Sequence, residues 1–219
     1  MTRHPILVAA FLLASVPLHA TTYTIEPRHT QGVLRWNHIG FSNPTAQFSL
    51  VEGKLEFDQA DPTRSTVAVT IPLANLNTGV PELNEYLREP DFFDLAKYPT
   101  ATFTSTKVQK GRASNLLKVS GDFNLHGVTR PVVLDVTINK VGADPRDNVP
   151  VAGFEATTTV KRSDFGLGLY VALVSDEIRI HITCQAIEAK AYAQRLQKEA
   201  ASAASEAAEK AAAANAAKK

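Results

Sequence analysis

The feature that most constrains the fold is a strict alternation of apolar and polar residues in many short segments. In the clearest segment, residues 177–186, apolar side chains occupy every second position: Ile178, Ile180, Ile182 and Cys184. The residues between them are polar or charged. A period of two residues is typical of a β-strand with one dry face and one wet face. This segment is therefore predicted to be a strand whose dry face lies in a core.

The same period recurs along most of the chain between residues 22 and 189. Clear segments cover 67–71, 117–125, 132–139 and 154–160, and weaker ones cover 22–26, 33–38, 47–57 and 100–108. Turn-forming pairs such as Asp61-Pro62 and His126-Gly127 separate the segments. No helix alternates with successive strands, as a parallel sheet would require. The pattern therefore predicts an antiparallel barrel or sandwich.

One insertion interrupts the strands. Residues 81–88 and 91–97 have the pattern of two short helices, and Asp91 is placed to cap the second one through its carboxylate. The apolar residues of the insertion are Leu83, Leu87, Phe92 and Phe93. We interpret this insertion as a helical flap that packs on an edge or on the mouth of a barrel.

The N-terminal residues have the layout of a secretory signal peptide. Arg3 precedes an apolar run at 6–16, and Pro17 and the small residue Ala20 follow it. A membrane anchor is the alternative, but a span needs about 20 apolar residues and this run is shorter. We therefore expect residues 1–20 to be removed during export, which would place the mature protein in the periplasm.

The C-terminal residues 190–219 are rich in Ala, Glu and Lys and contain neither Gly nor Pro. Alanine has the highest helix propensity, so this tail is predicted to be helical. Its large apolar residues, Tyr192 and Leu196, both lie near its start. The sequence favours a solvated helix without a core of its own, with a helix that binds a partner as the alternative. The barrel domain is then expected to cover residues 21–189.

The charge and cysteine content bear on several classes of function. The formal net charge is +1, from 23 basic and 22 acidic residues, and no basic stripe is visible. A nucleic-acid partner is therefore not expected. Cys184 is the only cysteine, which excludes an internal disulfide and a zinc site built on several thiolates. Neither a metal nor a cofactor is expected.

Residues that could carry catalysis form no recognisable motif. Ser163 and Ser175 lack the Gly-x-Ser-x-Gly context of a nucleophile elbow, and Asp164 and Asp176 are isolated carboxylates. Two alternatives to a binding protein nevertheless remain. One is a hydrolase or dehydratase that acts on an apolar substrate, and the other is a structural protein that assembles through its tail.

The ten phenylalanines suggest what a barrel of this kind holds, because many of them fall at strand or flap positions. The simplest interpretation of each one alone is a core residue. A small closed barrel, however, has a single interior. Where that interior is dry and its side chains do not fill it, it becomes a cavity for an apolar ligand.

The sequence resembles the YceI-like family of bacterial periplasmic polyisoprenoid-binding proteins over residues 22–189. No single motif is specific, but their order and spacing together are. The matching stretches are Tyr23-Thr24-Ile25-Glu26-Pro27-Arg28-His29-Thr30, His38-Ile39-Gly40-Phe41, Asp91-Phe92-Phe93-Asp94, Leu125-His126-Gly127-Val128-Thr129-Arg130-Pro131, Arg162-Ser163-Asp164-Phe165-Gly166 and Val174-Ser175-Asp176. Leu167 stands where the family often has Met, which is a volume-conserving exchange.

The resemblance implies an extended lipocalin-like fold, an eight-stranded antiparallel β-barrel with a short helical insertion, and a homodimer. It also implies that the barrel holds a long apolar chain: a polyisoprenoid, an isoprenoid quinone or a fatty-acyl derivative. His38, Arg162 and Asp164 are candidates to hold its headgroup, although Arg162 could instead pair with Asp164. The full set of candidate ligand-binding residues is Trp36, His38, Phe41, Phe48, Phe57, Phe92, Phe93, Phe103, Phe123, Phe154, Arg162, Asp164, Phe165, Leu169, Ile180 and Cys184.

Overall fold

A computed structural model of the protein describes residues 20–216. Apart from Ala20, the signal peptide expected at residues 1–20 lies outside the described residues. The strands are β1 (Thr21–Ile25), β2 (Gln31–Arg35), β3 (Thr45–Ser49), β4 (Glu52–Phe57), β5 (Thr66–Pro72), β6 (Thr100–Lys110), β7 (Leu116–Leu125), β8 (Val128–Ala143), β9 (Pro150–Lys161) and β10 (Glu177–Glu188). The helices are α1 (Pro81–Arg88) and α2 (Ala189–Ala216).

The strands form a closed antiparallel barrel, as the sequence predicts. Eight strands hydrogen-bond in the order β1-β4-β5-β6-β7-β8-β9-β10, and pairing between β1 and β10 closes the ring. The remaining two strands extend this ring on one side, where β2 pairs with β10 and β3 pairs with β2. Every one of these pairings is antiparallel.

Two short interruptions separate consecutive strands where the barrel is extended. A 3-10 turn, Pro27–His29, separates β1 from β2, and the buried carboxylate of Glu26 accepts from the backbone N–H of His29 at 2.8 Å. Leu50 has a left-handed φ of 56° and separates β3 from β4. The single strand expected over residues 47–57 is therefore wrong. A left-handed residue cannot continue a strand, so two strands form there.

The flap follows a short segment that pairs with β3, which is not hydrogen-bonded to β5. Gln47 of β3 pairs with Asn77 instead, through two backbone hydrogen bonds of 2.7 and 2.8 Å. Pro81 begins α1, a position where its missing N–H costs nothing. The second helix expected at 91–97 is wrong. Asp94 adopts a left-handed φ of 47° and accepts from the backbone of Lys97 and Tyr98, so this stretch consists of turns.

Inward-facing side chains fill one half of the barrel. The rings of Phe57 and Phe154 meet edge to face with centroids 5.6 Å apart, and Tyr23 adds a second edge contact to Phe57 at 6.3 Å. Ala152 and Ala186 are completely buried beside them. This closed half is the packed core of the barrel, whereas the other half is hollow.

The C-terminal helix packs on the closed end more extensively than the sequence suggests. Tyr192 is only 9% exposed, and Arg195 donates to Asp144 at 3.3 Å and to Asp147 at 2.7 Å. Beyond Glu199 every side chain that the structure describes is exposed. The expected solvated helix therefore begins only after about three docked turns. Among the described helices, none is long and apolar enough to span a membrane.

Candidate functional site: an apolar cavity and its mouth

The hollow half of the barrel contains a cavity of about 580 Å³. Its wall is almost entirely apolar and comes from the inward-facing residues of the strands, including Leu34, Val69 and Ile180. The flap contributes Leu87 and other apolar side chains from above. A volume of this size is within the range of small-molecule sites in proteins, about 300–1,000 Å³.

Two glycines let aromatic rings lie flat against the barrel wall and so keep the interior open. Gly32 is the direct cross-strand partner of Phe48, and a Cβ atom at Gly32 would collide with the Phe48 ring. Gly121 lies diagonally across the strand pair from Phe103, and a Cβ atom at Gly121 would likewise collide with the Phe103 ring. Both rings border the cavity. These aromatic residues therefore line the space and do not fill it.

The mouth of the cavity lies between the flap and the loop formed by residues 166–176. Tyr86 of α1 packs against Phe92 in a tilted arrangement with ring centroids 4.5 Å apart, and Tyr86 and Tyr170 also border the cavity. The neighbouring Tyr170 side chain raises the pKa of the Tyr86 hydroxyl. Since Tyr86 belongs to the flap and Tyr170 to the loop, this pair links the two sides of the mouth.

Arg162 holds the 166–176 loop in place. Its guanidinium group donates to the backbone carbonyls of Leu167, Leu169, Val174 and Ser175 at distances of 2.5 to 3.1 Å. Burial lowers the pKa of Arg162, and the charge of Asp176 only partly opposes this shift. The ion pair with Asp164 considered above does not form in the described structure. Arg162 is therefore a positioning residue for the mouth.

Ten of the sixteen candidate ligand-binding residues border the cavity. They are Trp36, His38, Phe48, Phe92, Phe93, Phe103, Phe123, Arg162, Leu169 and Ile180. They come from seven separate segments of the chain, which the barrel brings around one space. Of the three headgroup candidates, His38 borders the cavity and takes no part in the hydrogen bonds from Arg162 to the 166–176 loop.

The structure places the other six candidates elsewhere. Phe57, Phe154 and Cys184 face the interior but lie in the packed closed half, below the cavity floor. Phe165 is behind the wall, and Asp164 lines a groove on the outer surface of the barrel. The sixth residue, Phe41, is 91% exposed at the tip of the turn between β2 and β3.

Cys184 lies on the interior face of the closed half, where its side chain is partly buried against the core. Burial raises the pKa of the Cys184 thiol to about 11, and the nearby Thr30 hydroxyl lowers it by less. A thiol with such a pKa is almost entirely protonated at neutral pH, and the thiolate is the reactive form.

Several cavity residues were not among the candidates, and Tyr86 and Tyr170 are the most informative. Tyr86 lies in the helix that the sequence does predict, so its position beside Leu83 and Leu87 could have suggested a flap contact. Tyr170 follows the Gly166-Leu167-Gly168 stretch and has a left-handed φ of 61°. No local pattern in the sequence indicates that conformation.

The polar side chains around the mouth serve mainly to shape its loops. The Ser163 hydroxyl donates to Asp176 at 2.7 Å, and the Ser175 hydroxyl donates to the carbonyl of Glu177 at 3.0 Å. Within residues 20–216, no group of three His, Cys, Asp or Glu side chains is arranged to hold a metal ion. The observed geometry is thus that of an apolar cavity whose mouth is shaped by hydrogen-bonded loops.

The sequence and the fold match known proteins. The YceI-like domain family matches residues 23–186. The chain belongs to the YceI-like family. The YceI protein of Escherichia coli O157:H7 is 34% identical over 184 residues, which cover 83% of this chain and 95% of that protein. The match thus includes nearly the whole of that YceI-like relative.

Solved structures share the barrel fold. The YceI protein of Campylobacter jejuni is 31% identical, with a TM-score of 0.63 over 69% of this chain and 89% of that one. A polyisoprenoid-binding domain from Saccharophagus degradans, implicated in plant cell wall breakdown, is 17% identical with a TM-score of 0.56. That comparison covers 77% of this chain and 99% of the domain, and it supports the YceI-like fold.

Proposed function

We propose that this protein binds one long apolar chain in the barrel cavity and carries or sequesters it without changing it. The observation that supports this most strongly is the cavity itself, about 580 Å³ of space with an almost wholly apolar wall. Water gains few hydrogen bonds in such a space, and apolar cavities favour apolar ligands. Each methylene that leaves water contributes about 0.8 kcal/mol, so ten of them outweigh a substantial cost of ordering the chain.

The shape of the site favours a single chain with a small polar end. The closed half of the barrel blocks one end of the cavity, so a chain enters only at the mouth. There His38 offers a ring nitrogen, whereas the donors of Arg162 are largely occupied by backbone carbonyls. We therefore assign headgroup contact to His38 and remove Arg162 and Asp164 from that role.

Polyisoprenoids, isoprenoid quinones and fatty-acyl derivatives are the ligand classes that meet these requirements. The fold shared with the polyisoprenoid-binding domain of Saccharophagus degradans adds support for the first of them. The signal-peptide layout at residues 1–20 supports a periplasmic location. A homodimer is part of this proposal on the grounds of the family resemblance alone.

Two tryptophan substitutions at neighbouring positions of β8 test the proposal. Leu134 borders the cavity, whereas Val133 is exposed on the outer face of the same strand. Leu134→Trp should fill part of the cavity and lower the bound lipid several-fold, while Val133→Trp should retain it. Native mass spectrometry of the protein purified from its own cells, followed by lipid extraction, measures both. Equal loading of the two variants would show that the chain binds elsewhere, and recovery of a chemically altered lipid would favour an enzyme.

A further inference from the structure

The mouth of the barrel carries the largest group of exposed apolar side chains among the described residues. They lie in two loops, the β2–β3 turn with Ile39 and Phe41 and the 166–176 loop with Leu169, Val171 and Leu173. The backbone N–H of Ile39 donates to the carbonyl of Leu173 at 3.0 Å, so the loops form one tip. An apolar patch of this kind, unlike single exposed residues, marks an interaction surface.

The tip is held in shape by its backbone. Ile39 has a left-handed φ of 54°, and Gly40 follows with a φ of 76°. This conformation is rare for a β-branched residue. It closes a tight turn in which the Phe41 N–H donates to the His38 carbonyl at 3.0 Å, and it directs Phe41 outward. The fold thus keeps an aromatic side chain in water at its extreme end.

Four cations surround the tip on one side of the barrel. Arg35, Arg130, Lys161 and Arg179 lie near the mouth ends of β2, β8, β9 and β10 and line a groove of about 990 Å³ on the outer wall. Arg35 and Arg179 are directly opposite each other in the sheet, an unfavourable arrangement of like charges. None of the four forms an ion pair with a described side chain.

The acidic residues near this groove offset its positive charge only in part. Asp135 and Asp164 line the groove as well, but Lys118 already pairs with Asp135 at 2.6 Å. Lys161 has Glu177 as its cross-strand partner. The flap, on the opposite side of the mouth, is acidic. It contains two basic residues, Arg88 and Lys97, and five acidic ones: Glu82, Glu85, Glu89, Asp91 and Asp94. The mouth therefore has a basic side and an acidic side.

We propose that the tip and its basic side dock reversibly on an anionic phospholipid bilayer. Apolar side chains that enter the interface next to cations that meet lipid phosphates are the combination that holds peripheral proteins on membranes. The acidic flap then faces away from the surface, so the barrel is tilted. Leu169 and Tyr170 belong both to the tip and to the cavity wall, which brings the mouth to the lipid.

A second copy of the chain fits this surface less well. A two-fold axis that passes through the tip and its basic side would set the four cations of one subunit against those of the other. An anionic bilayer removes this repulsion and also accommodates the apolar tip. The docking requires no particular cargo. Its use, transfer of an apolar chain between membrane and cavity without passage through water, rests on the proposed function.

Vesicle flotation of the full protein tests the docking. Binding should be strong to phosphatidylcholine vesicles that contain phosphatidylglycerol, should decrease with salt, and should be weak without phosphatidylglycerol. Arg35→Gln with Arg179→Gln should lower the partition coefficient about tenfold or more, because each cation near an anionic surface contributes severalfold to binding. Phe41→Ser with Leu173→Ser should have a comparable effect through lost insertion.

The matched control removes two exposed cations from the other end of the barrel, Lys107→Gln with Lys140→Gln, and should bind as the wild type does. Equal losses in control and mouth variants, or no preference for phosphatidylglycerol, would overturn the proposal. A third outcome would also overturn it: the wild-type protein does not float, and it forms a dimer that Phe41→Ser dissociates. The patch would then join two copies of the chain. If the wild-type protein floats with the vesicles but carries no lipid in its cavity, the proposed function is contradicted and the membrane docking is not.

Discussion

The rings of Phe123 and Phe165 meet edge to face with centroids 5.4 Å apart, but only Phe123 borders the cavity. Phe165 is 1% exposed and packs behind Phe123 from the 3-10 turn that follows β9. One aromatic pair thus joins the cavity wall to the segment from which Arg162 organises the mouth.

The two members of this pair should respond differently to truncation. Phe165→Ala should lower the free energy of unfolding by about 3–5 kcal/mol, because it leaves a void in a fully packed site. Phe123→Ala should cost less, since one side of its ring already faces empty space, and should shift the length of the bound chain. Urea unfolding of delipidated protein and mass spectrometry of the extracted lipid measure these effects. Equal destabilisation by the two changes would contradict the assignment.

Cys184 should resist modification by a polar maleimide in the folded protein. Burial raises its pKa to about 11, so the reactive thiolate is scarce at neutral pH and is also shielded. The control is His181→Cys in a Cys184→Ala background, which places a thiol on the exposed face of the same strand. The control should react at least about a hundredfold faster at pH 7. Similar rates would mean that β10 faces the other way.

Loss of the Arg162 guanidinium should loosen the mouth without emptying the cavity. Arg162→Met would leave four backbone carbonyls of the 166–176 loop without a donor, and a buried unpaired polar group costs about 1–3 kcal/mol. Hydrogen exchange in residues 166–176 should accelerate, and bound lipid should exchange faster. Arg130→Met, which removes a single bond to the Asp164 carbonyl, is the control. Unchanged exchange in this loop would show that other contacts hold it.

The alternation of residues predicts the faces of the strands but not depth within the barrel. Ile182 and Cys184 share one face, yet Ile182 borders the cavity and Cys184 lies in the packed half. A period of two residues specifies whether a side chain points into or out of the barrel. Its depth along the barrel axis depends on the tilt of the strand and on where the ring of strands closes. For the same reason the sequence pattern does not separate Phe57 and Phe154 from the residues that line the cavity.

Local sequence patterns also do not predict contacts between distant segments of the chain. Tyr86 and Tyr170 are 84 positions apart and meet because the flap folds back over the mouth. The helix expected at 91–97 fails for a related reason. Its local signals favour a helix, but Asp94 adopts a left-handed conformation that ends any helical run.

Acidification should weaken the closed end of the barrel through Asp144. Hydrogen bonds from Arg146, and secondarily from Arg195, hold the pKa of Asp144 well below its usual range. A carboxyl whose pKa is lower in the folded protein stabilises it above the unfolded pKa of about 3.9, and this contribution disappears as the pH falls toward the folded pKa. Asp144→Asn should therefore destabilise the protein at pH 7 and flatten the loss of stability below about pH 5.

Urea unfolding over that pH range measures the effect. Asp135→Asn is the control, because its ion pair with Lys118 is on the surface and such pairs contribute little. An unchanged pH profile in Asp144→Asn would assign the acid sensitivity to another group. Glu26 is the next candidate, since hydrogen bonds from Arg28 and His29 outweigh the effect of its burial and lower its pKa.

The C-terminal helix should matter up to about residue 199 and not beyond it. Truncation after Ala189 removes Tyr192, whose burial against the barrel stabilises the fold by about 1.5–3 kcal/mol, together with the Arg195 contacts to Asp144 and Asp147. The thermal midpoint should then fall by several degrees, because each kcal/mol shifts it by about 2–4 °C in a chain of this size.

Truncation after Ser202 should leave the midpoint unchanged, because the described side chains beyond that point are exposed. The point variants Tyr192→Ala and Leu196→Ala separate docking from helix propensity, since both residues lie in the same helix and Leu196 faces solvent. Only Tyr192→Ala should lower the midpoint. Lipid loading should survive both truncations, because the helix packs on the closed end and the cavity opens at the other. Loss of lipid on removal of residues 203–219 would mean that the exposed part of the helix contributes to the site.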